Sequence, residues 1–228
     1  MAERSTKLKS TTITTKNNIF DYRTLRLIIG LIACLLPIVV SFFSSQTLAS
    51  ISASYYTEGR DWFVGLLFIV GSFLLAYNGH TRKQLVASKI AAFAAIGIAI
   101  FPTACEKCEA GFISTLHYIS AAILFSILAY FCLGPFRKKF KGEISNKQSR
   151  RNTLYLICGI VMIICMLGMA IANFALPVEL VARLRLIYWG EAIGLGAFGV
   201  AWFVSGKALP FFADPSERLK LEKALAPR

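Results

Sequence analysis

Six apolar segments, separated by loops whose Lys and Arg fall almost wholly on alternate sides, constrain this chain more than any other feature. The runs are Leu25–Phe43, Trp62–Tyr77, Ile90–Phe101, Ile113–Leu133, Leu154–Ala172 and Leu186–Ser205. A bilayer core about 30 Å thick takes about 20 apolar residues of helix to cross. Four of the runs meet that length, while the second and third are short and need polar ends or tilt.

With the N-terminus placed in the cytoplasm, 21 basic residues fall inside and only Arg60, Lys107, Arg183 and Arg185 fall outside. That split is the positive-inside pattern of an even number of spans. The expected fold is therefore all-α: a polytopic six-transmembrane-helix bundle of the cell inner membrane, N-in and C-in. A basic tail covers residues 1–24, the transmembrane domain 25–205, and a second basic tail 206–228. Only 16% of the chain is charged, against about 25% in soluble domains, so no separate soluble domain is expected.

The net charge of +13 invites a nucleic-acid reading. No aromatic or Gly-rich recognition pattern accompanies it, so nucleic acid is not expected as a partner. The basic loops act as topological determinants, or hold anionic lipid headgroups at about 1 kcal/mol per Lys or Arg. Membrane lipid is the expected partner. The start of the chain resembles a secretory signal, but its apolar run exceeds the usual core of about 7–15 residues. An uncleaved first span is the reading.

Pro37 is expected to kink the first segment, which runs out into a Ser-rich stretch, Ser41 to Ser54. Pro102 stops the third, and Gly134-Pro135 ends the fourth. The tail from Ser216 to Leu225 reads as a short amphipathic helix on the inner surface. Gly190 and Gly194 have the spacing that lets helices approach closely, either within the bundle or, as an alternative, in a homodimer. The chain has no internal repeat to support an inverted-repeat transporter.

Ionisable groups inside a span are costly and default to functional candidates. His117 lies about four residues into the fourth segment and Glu191 about five residues into the sixth, both from the outer end. Each is then roughly 6–8 Å below the outer surface. Glu58, Asp61 and Thr103 come to that surface too, so four helices bring polar groups to one outer mouth. Three readings compete: zinc ligation or acid–base work, proton relay or cation binding, and a structural tie in which Glu191 accepts from His117, Tyr188 or Arg185. No HxxxH or HExxH spacing supports a metal, and none is expected. His80 lies on the face opposite His117, so the two cannot ligate one haem iron, and no cofactor is expected.

Cys105 and Cys108 form a CxxC in an outer loop, where an oxidising compartment lets a disulfide persist. A redox-active pair is the sharper alternative. Cys34, Cys132, Cys158 and Cys165 fall within spans and act as small apolar residues. Trp62, Tyr188 and Trp189 near one interface, with Tyr77 and Tyr130 near the other, form an aromatic belt.

The stretch Ile98-Ala99-Ile100-Phe101-Pro102-Thr103, then Leu116-His117 and Ala121-Ala122-Ile123-Leu124-Phe125, resembles the Frag/DRAM/Sfk-like six-span proteins and a related prokaryotic membrane family. Those share a Phe-Pro end to the third span and a His opening the fourth, and Glu191 resembles the Glu of their last span. The resemblance covers segments three, four and six, and Cys105 and Cys108 depart from it. It implies a six-helix bundle with a membrane- or lipid-linked role, and no catalytic mechanism. The residues show no complete catalytic set. The expectation is a lipid- or small-ligand-interacting membrane protein, in which His117 and Glu191 position the ligand or hold an outward pocket. The alternatives are a metal-assisted or acid–base hydrolase acting on outer-leaflet lipid, and a proton-coupled small-solute transporter.

Overall fold

A computed structural model describes residues 22–104, 111–137 and 145–215. Cys105 and Cys108, the amphipathic stretch from Ser216, and the residues before 22 lie outside the described residues. All regular structure among the described residues is helical: α1 (Tyr22–Phe43), a 3-10 helix η1 (Ser52–Tyr56), α2 (Arg60–Ala76), α3 (Arg82–Ile100), α4 (Phe112–Leu133), α5 (Asn146–Ala175), α6 (Val178–Leu184) and α7 (Leu186–Ser205).

Two helix starts, those of α3 and α5, follow side-chain caps rather than apolar runs. The Thr81 hydroxyl accepts the Gln84 N–H at 3.3 Å, so α3 begins eight residues before its apolar run at Ile90. Ser145 accepts the Gln148 N–H at 3.3 Å and starts α5 in the same way. Five helices, α1, α3, α4, α5 and α7, are long and apolar enough to cross a membrane. The 17 residues of α2 reach about 26 Å at 1.5 Å per residue, short of a core about 30 Å thick. The protein is thus an all-α, multi-pass membrane bundle. Large apolar side chains such as Ile157, Ile164, Leu167 and Phe174 point outward along α5, as a lipid-facing surface requires.

The six long helices form a ring in chain order, α1 to α5 and then α7, which closes back on α1. Small residues set the tightest crossing. A Cβ on Gly30 would lie 2.5 Å from the Phe203 nitrogen and 2.6 Å from the Gly199 oxygen, so α1 and α7 meet backbone to backbone. Gly190 and Gly194 are packed inside the bundle as well, against Met169 of α5 and Phe125 of α4 respectively.

The end carrying the starts of α1, α3 and α5 is rich in cations. There Arg26 donates to the Tyr77 hydroxyl at 2.5 Å and to the Ser205 carbonyl at 3.4 Å. Its guanidinium lies over the Tyr77 and Phe136 rings, which pack on the fully buried Trp202. Residues 206–215 fold back beneath this end, with Arg151 donating to the Phe212 carbonyl at 2.5 Å. His80 is exposed here, in the turn between α2 and α3. His117 sits in the first turns of α4, at the other end.

Candidate functional site

At that other end, residues 44–59 return into the bundle between α1 and α2. Leu48, Ile51, Ser52 and Ser54 are all buried, which the hydroxyl-rich composition of this stretch disguises. The loop is held from α7. One oxygen of the Glu191 carboxylate accepts the Ile51 N–H at 2.5 Å and the Ser52 N–H at 3.3 Å, and the other accepts the Ser52 hydroxyl at 2.9 Å. Glu191 thereby caps η1, satisfying donors at a helix start that have no partner within the helix.

The expected acceptance of His117, Tyr188 or Arg185 by Glu191 is not what the structure contains, because each of the three is engaged elsewhere. Arg185 donates from Nε to the Leu48 carbonyl at 2.8 Å and lies 4.0 Å over the Tyr188 ring. The Tyr188 hydroxyl pairs with Ser41 at 2.8 Å, and its N–H donates to the Ala49 carbonyl at 3.1 Å. Arg185 adopts a left-handed backbone, φ 51°, at the joint between α6 and α7, which turns its side chain onto the loop.

His117 is 2% exposed, and its Nδ1 lies 2.7 Å from the Phe101 carbonyl oxygen. A carbonyl only accepts, so this nitrogen carries the proton. The bond ties the end of α3 to the start of α4. Thr103 reinforces it, donating to the Tyr118 hydroxyl at 3.2 Å while its carbonyl accepts the Tyr56 hydroxyl at 2.6 Å. Burial and the neighbouring Tyr55 and Tyr118 hydroxyls push the Tyr56 phenol above its ordinary range, which keeps it a donor. Glu58 closes the loop on itself, accepting the Ser45 N–H at 3.2 Å and hydroxyl at 2.9 Å. Its own N–H first, and then the Ser45 N–H and hydroxyl, hold the Glu58 carboxyl below the usual carboxylate range.

Among the described residues no three His, Cys, Asp or Glu side chains gather in a way that could cage a metal. What the arrangement forms is a cleft of about 520 Å³ on the flank of the bundle, lined by Tyr55, Arg60, Asp61, Val64, Gly65, Phe68, Ala99 and Ile100. Of the candidates read from the sequence, Asp61 alone lines it. Arg60 donates to the Tyr55 hydroxyl at 2.9 Å and lies 4.3 Å over its ring. Below this charged rim the wall is apolar.

No family model, curated protein or solved structure matches this chain. The site therefore rests on its own geometry.

Glu191 and His117 do not meet, yet each holds one wall of the cleft from behind. Glu191 caps the 3-10 helix that carries Tyr55. His117 fixes the carbonyl directly after Ile100. The residues that sequence reasoning missed are Ser41, Ser52, Tyr55 and Tyr118, which make the contacts. The signal for Ser52 was Leu48 and Ile51 interleaved with hydroxyls, a pattern that favours a segment packed on protein over a solvated loop.

Proposed function

We propose that this chain is a lipid-interacting protein of the cell inner membrane, with six spans, N-in and C-in, and a cleft open to the outer leaflet. The observation that carries the reading is the build of the cleft between α2 and α3. Arg60 and Asp61 stand at its rim, and Val64, Gly65, Phe68, Ala99 and Ile100 line the trough beneath. From Arg60 to Phe68 is about 12 Å of helix, the distance from headgroup level into acyl chains. Gly65, Phe68 and Ile100 are exposed on the flank, so a lipid enters sideways without crossing the bundle. The excess of basic residues at the opposite end supports the orientation.

In this reading His117 and Glu191 are positioning residues that keep the two walls apart. For the metal-assisted form of the hydrolase alternative no three His, Cys, Asp or Glu side chains gather among the described residues, and for its acid–base form Glu191 and His117 are bonded to separate backbone groups. Against the transporter alternative stands the packing of the Tyr77, Phe131 and Trp202 rings, with the Arg26 guanidinium bonded to Tyr77, at the end away from the cleft. The test is lipid content of the protein purified in mild detergent, wild type beside Gly65→Leu. A Cβ at Gly65 meets nothing within 4 Å, so the leucine fills the trough without disturbing the fold. Phospholipid retained by the wild type and lost from Gly65→Leu is the expected result. Equal retention by both overturns the reading.

A further inference from the structure

We propose that the cleft selects a zwitterionic phospholipid with a primary ammonium headgroup, its phosphate on Arg60 and its ammonium on Asp61. This rests on the lipid reading above and goes one step further, to the headgroup.

The rim holds one cation and one anion, and they do not pair with each other. Arg60 is the first residue of α2, where the helix dipole disfavours a positive charge. It is kept there by the Tyr55 hydroxyl and by the Tyr55 ring, 4.3 Å away. The Tyr55 bond comes from one terminal nitrogen, so the other donors of the guanidinium fork stay open toward the cleft mouth. A phosphate is the group that such a fork matches. It also removes the conflict with the dipole, since an anion at a helix start is favourable.

Asp61, the next residue, is exposed, and its carboxylate has no hydrogen-bond or ion-pair partner among the described residues. A lipid carrying only phosphate, or phosphate plus further negative charge, would leave this carboxylate facing an anion. A headgroup with phosphate and ammonium satisfies both charges. The kind of ammonium follows from Tyr55. Quaternary ammonium recognition relies on free aromatic faces, and the guanidinium already lies over this ring. A primary ammonium needs no aromatic cage, because its N–H groups donate directly to a carboxylate. Gly65, one turn further along α2, leaves open space for the glycerol and upper acyl carbons.

The experiment reconstitutes the full chain in nanodiscs that contain phosphatidylethanolamine, phosphatidylcholine and phosphatidylglycerol in equal amounts. The lipid that stays with the protein after re-extraction into detergent is then quantified by mass spectrometry. Wild type is expected to retain phosphatidylethanolamine about tenfold over the other two, as one charge-assisted contact would give. Asp61→Asn is expected to lose that preference, its retained phosphatidylethanolamine falling to near the level of the other two lipids. Arg60→Gln is expected to lose about tenfold of all bound phospholipid. Wild-type retention without headgroup preference, or an unchanged preference in Asp61→Asn, overturns the headgroup assignment and leaves the lipid reading standing. Loss of the lipid reading itself is read separately, from Gly65→Leu retaining as much lipid as wild type. Thermal unfolding of each variant at the wild-type temperature establishes that the fold is intact.

Discussion

The carboxylate of Glu191, in the second turn of α7, accepts the backbone N–H of Ile51 at 2.5 Å across 140 residues of sequence. It makes a helix cap in trans. The five bonds that Arg185, Tyr188 and Glu191 make to Leu48, Ala49, Ile51 and Ser52 make the loop part of the bundle. Tyr55, three residues beyond Ser52, is thereby set as a wall of the cleft.

Removing that acceptor should therefore loosen the loop more than the helix. Glu191→Ala leaves the Ile51 and Ser52 N–H groups and the Ser52 hydroxyl without their partner in a largely buried place. The expected loss is on the order of 2–3 kcal/mol, the cost of stranding buried donors. Glu191→Gln keeps an acceptor oxygen and should lose about 1 kcal/mol. Thermal unfolding gives the ranking, and hydrogen exchange over residues 48–56 locates it. Protection of that loop unchanged in Glu191→Ala would show that the cap does not hold it.

The contact between α1 and α7 should be the least tolerant of added volume. Gly30→Ala would place a methyl 2.5 Å from the Phe203 nitrogen and 2.6 Å from the Gly199 oxygen. Both are backbone atoms and cannot rotate away, so the helices must separate. Overpacking of this kind costs about 1–3 kcal/mol. Gly168→Ala and Gly196→Ala serve as controls, because a Cβ at either meets nothing within 4 Å. Both should match or slightly exceed wild-type stability, alanine being the better helix former by about 1 kcal/mol. A Gly30→Ala protein that unfolds at the wild-type temperature would rule out the close crossing.

The contrast between Gly30 and Gly190 shows how far the sequence could be read. Apolar length and the placement of Lys and Arg are one-dimensional properties, so the helical membrane bundle was legible from them. Which glycine faces which helix depends on rotation about each axis, and a spacing of four residues cannot supply that. The Gly190 and Gly194 spacing did mark a packed face, yet the closest backbone-to-backbone approach lies at Gly30, a lone glycine in its helix. The site divides in the same way. Depth in the bilayer placed His117, Glu191, Asp61 and Thr103 at one end, because depth follows from counting along a helix. Their partners could not be counted. Glu191 bonds to backbone N–H groups and His117 to a backbone carbonyl, and backbone groups are the same at every residue. The early starts of α3 and α5 were hidden because Thr81 and Ser145 sit in basic stretches, where the apolar run that marks a bilayer has not begun.

Acid should open the loop at its far edge first. Glu58 is fully exposed, and its carboxyl is held by its own N–H and, next to that, by the Ser45 N–H and hydroxyl, so it titrates below the usual range. A group whose folded-state pKa is depressed contributes stability above its unfolded value, about 4.3, and loses it as pH falls through the lower folded value. The tie between Ser45 and Glu58 should thus be constant from neutral pH down to about 4.5 and weaken below that. Protection of the Ser45 amide, taken relative to its intrinsic exchange rate at each pH, reports the change. Glu58→Gln should give weaker protection at neutral pH and a flat profile into the acid range. Wild-type protection that stays constant through pH 3, or a Glu58→Gln profile that still falls in acid, would assign the tie to groups other than this carboxylate.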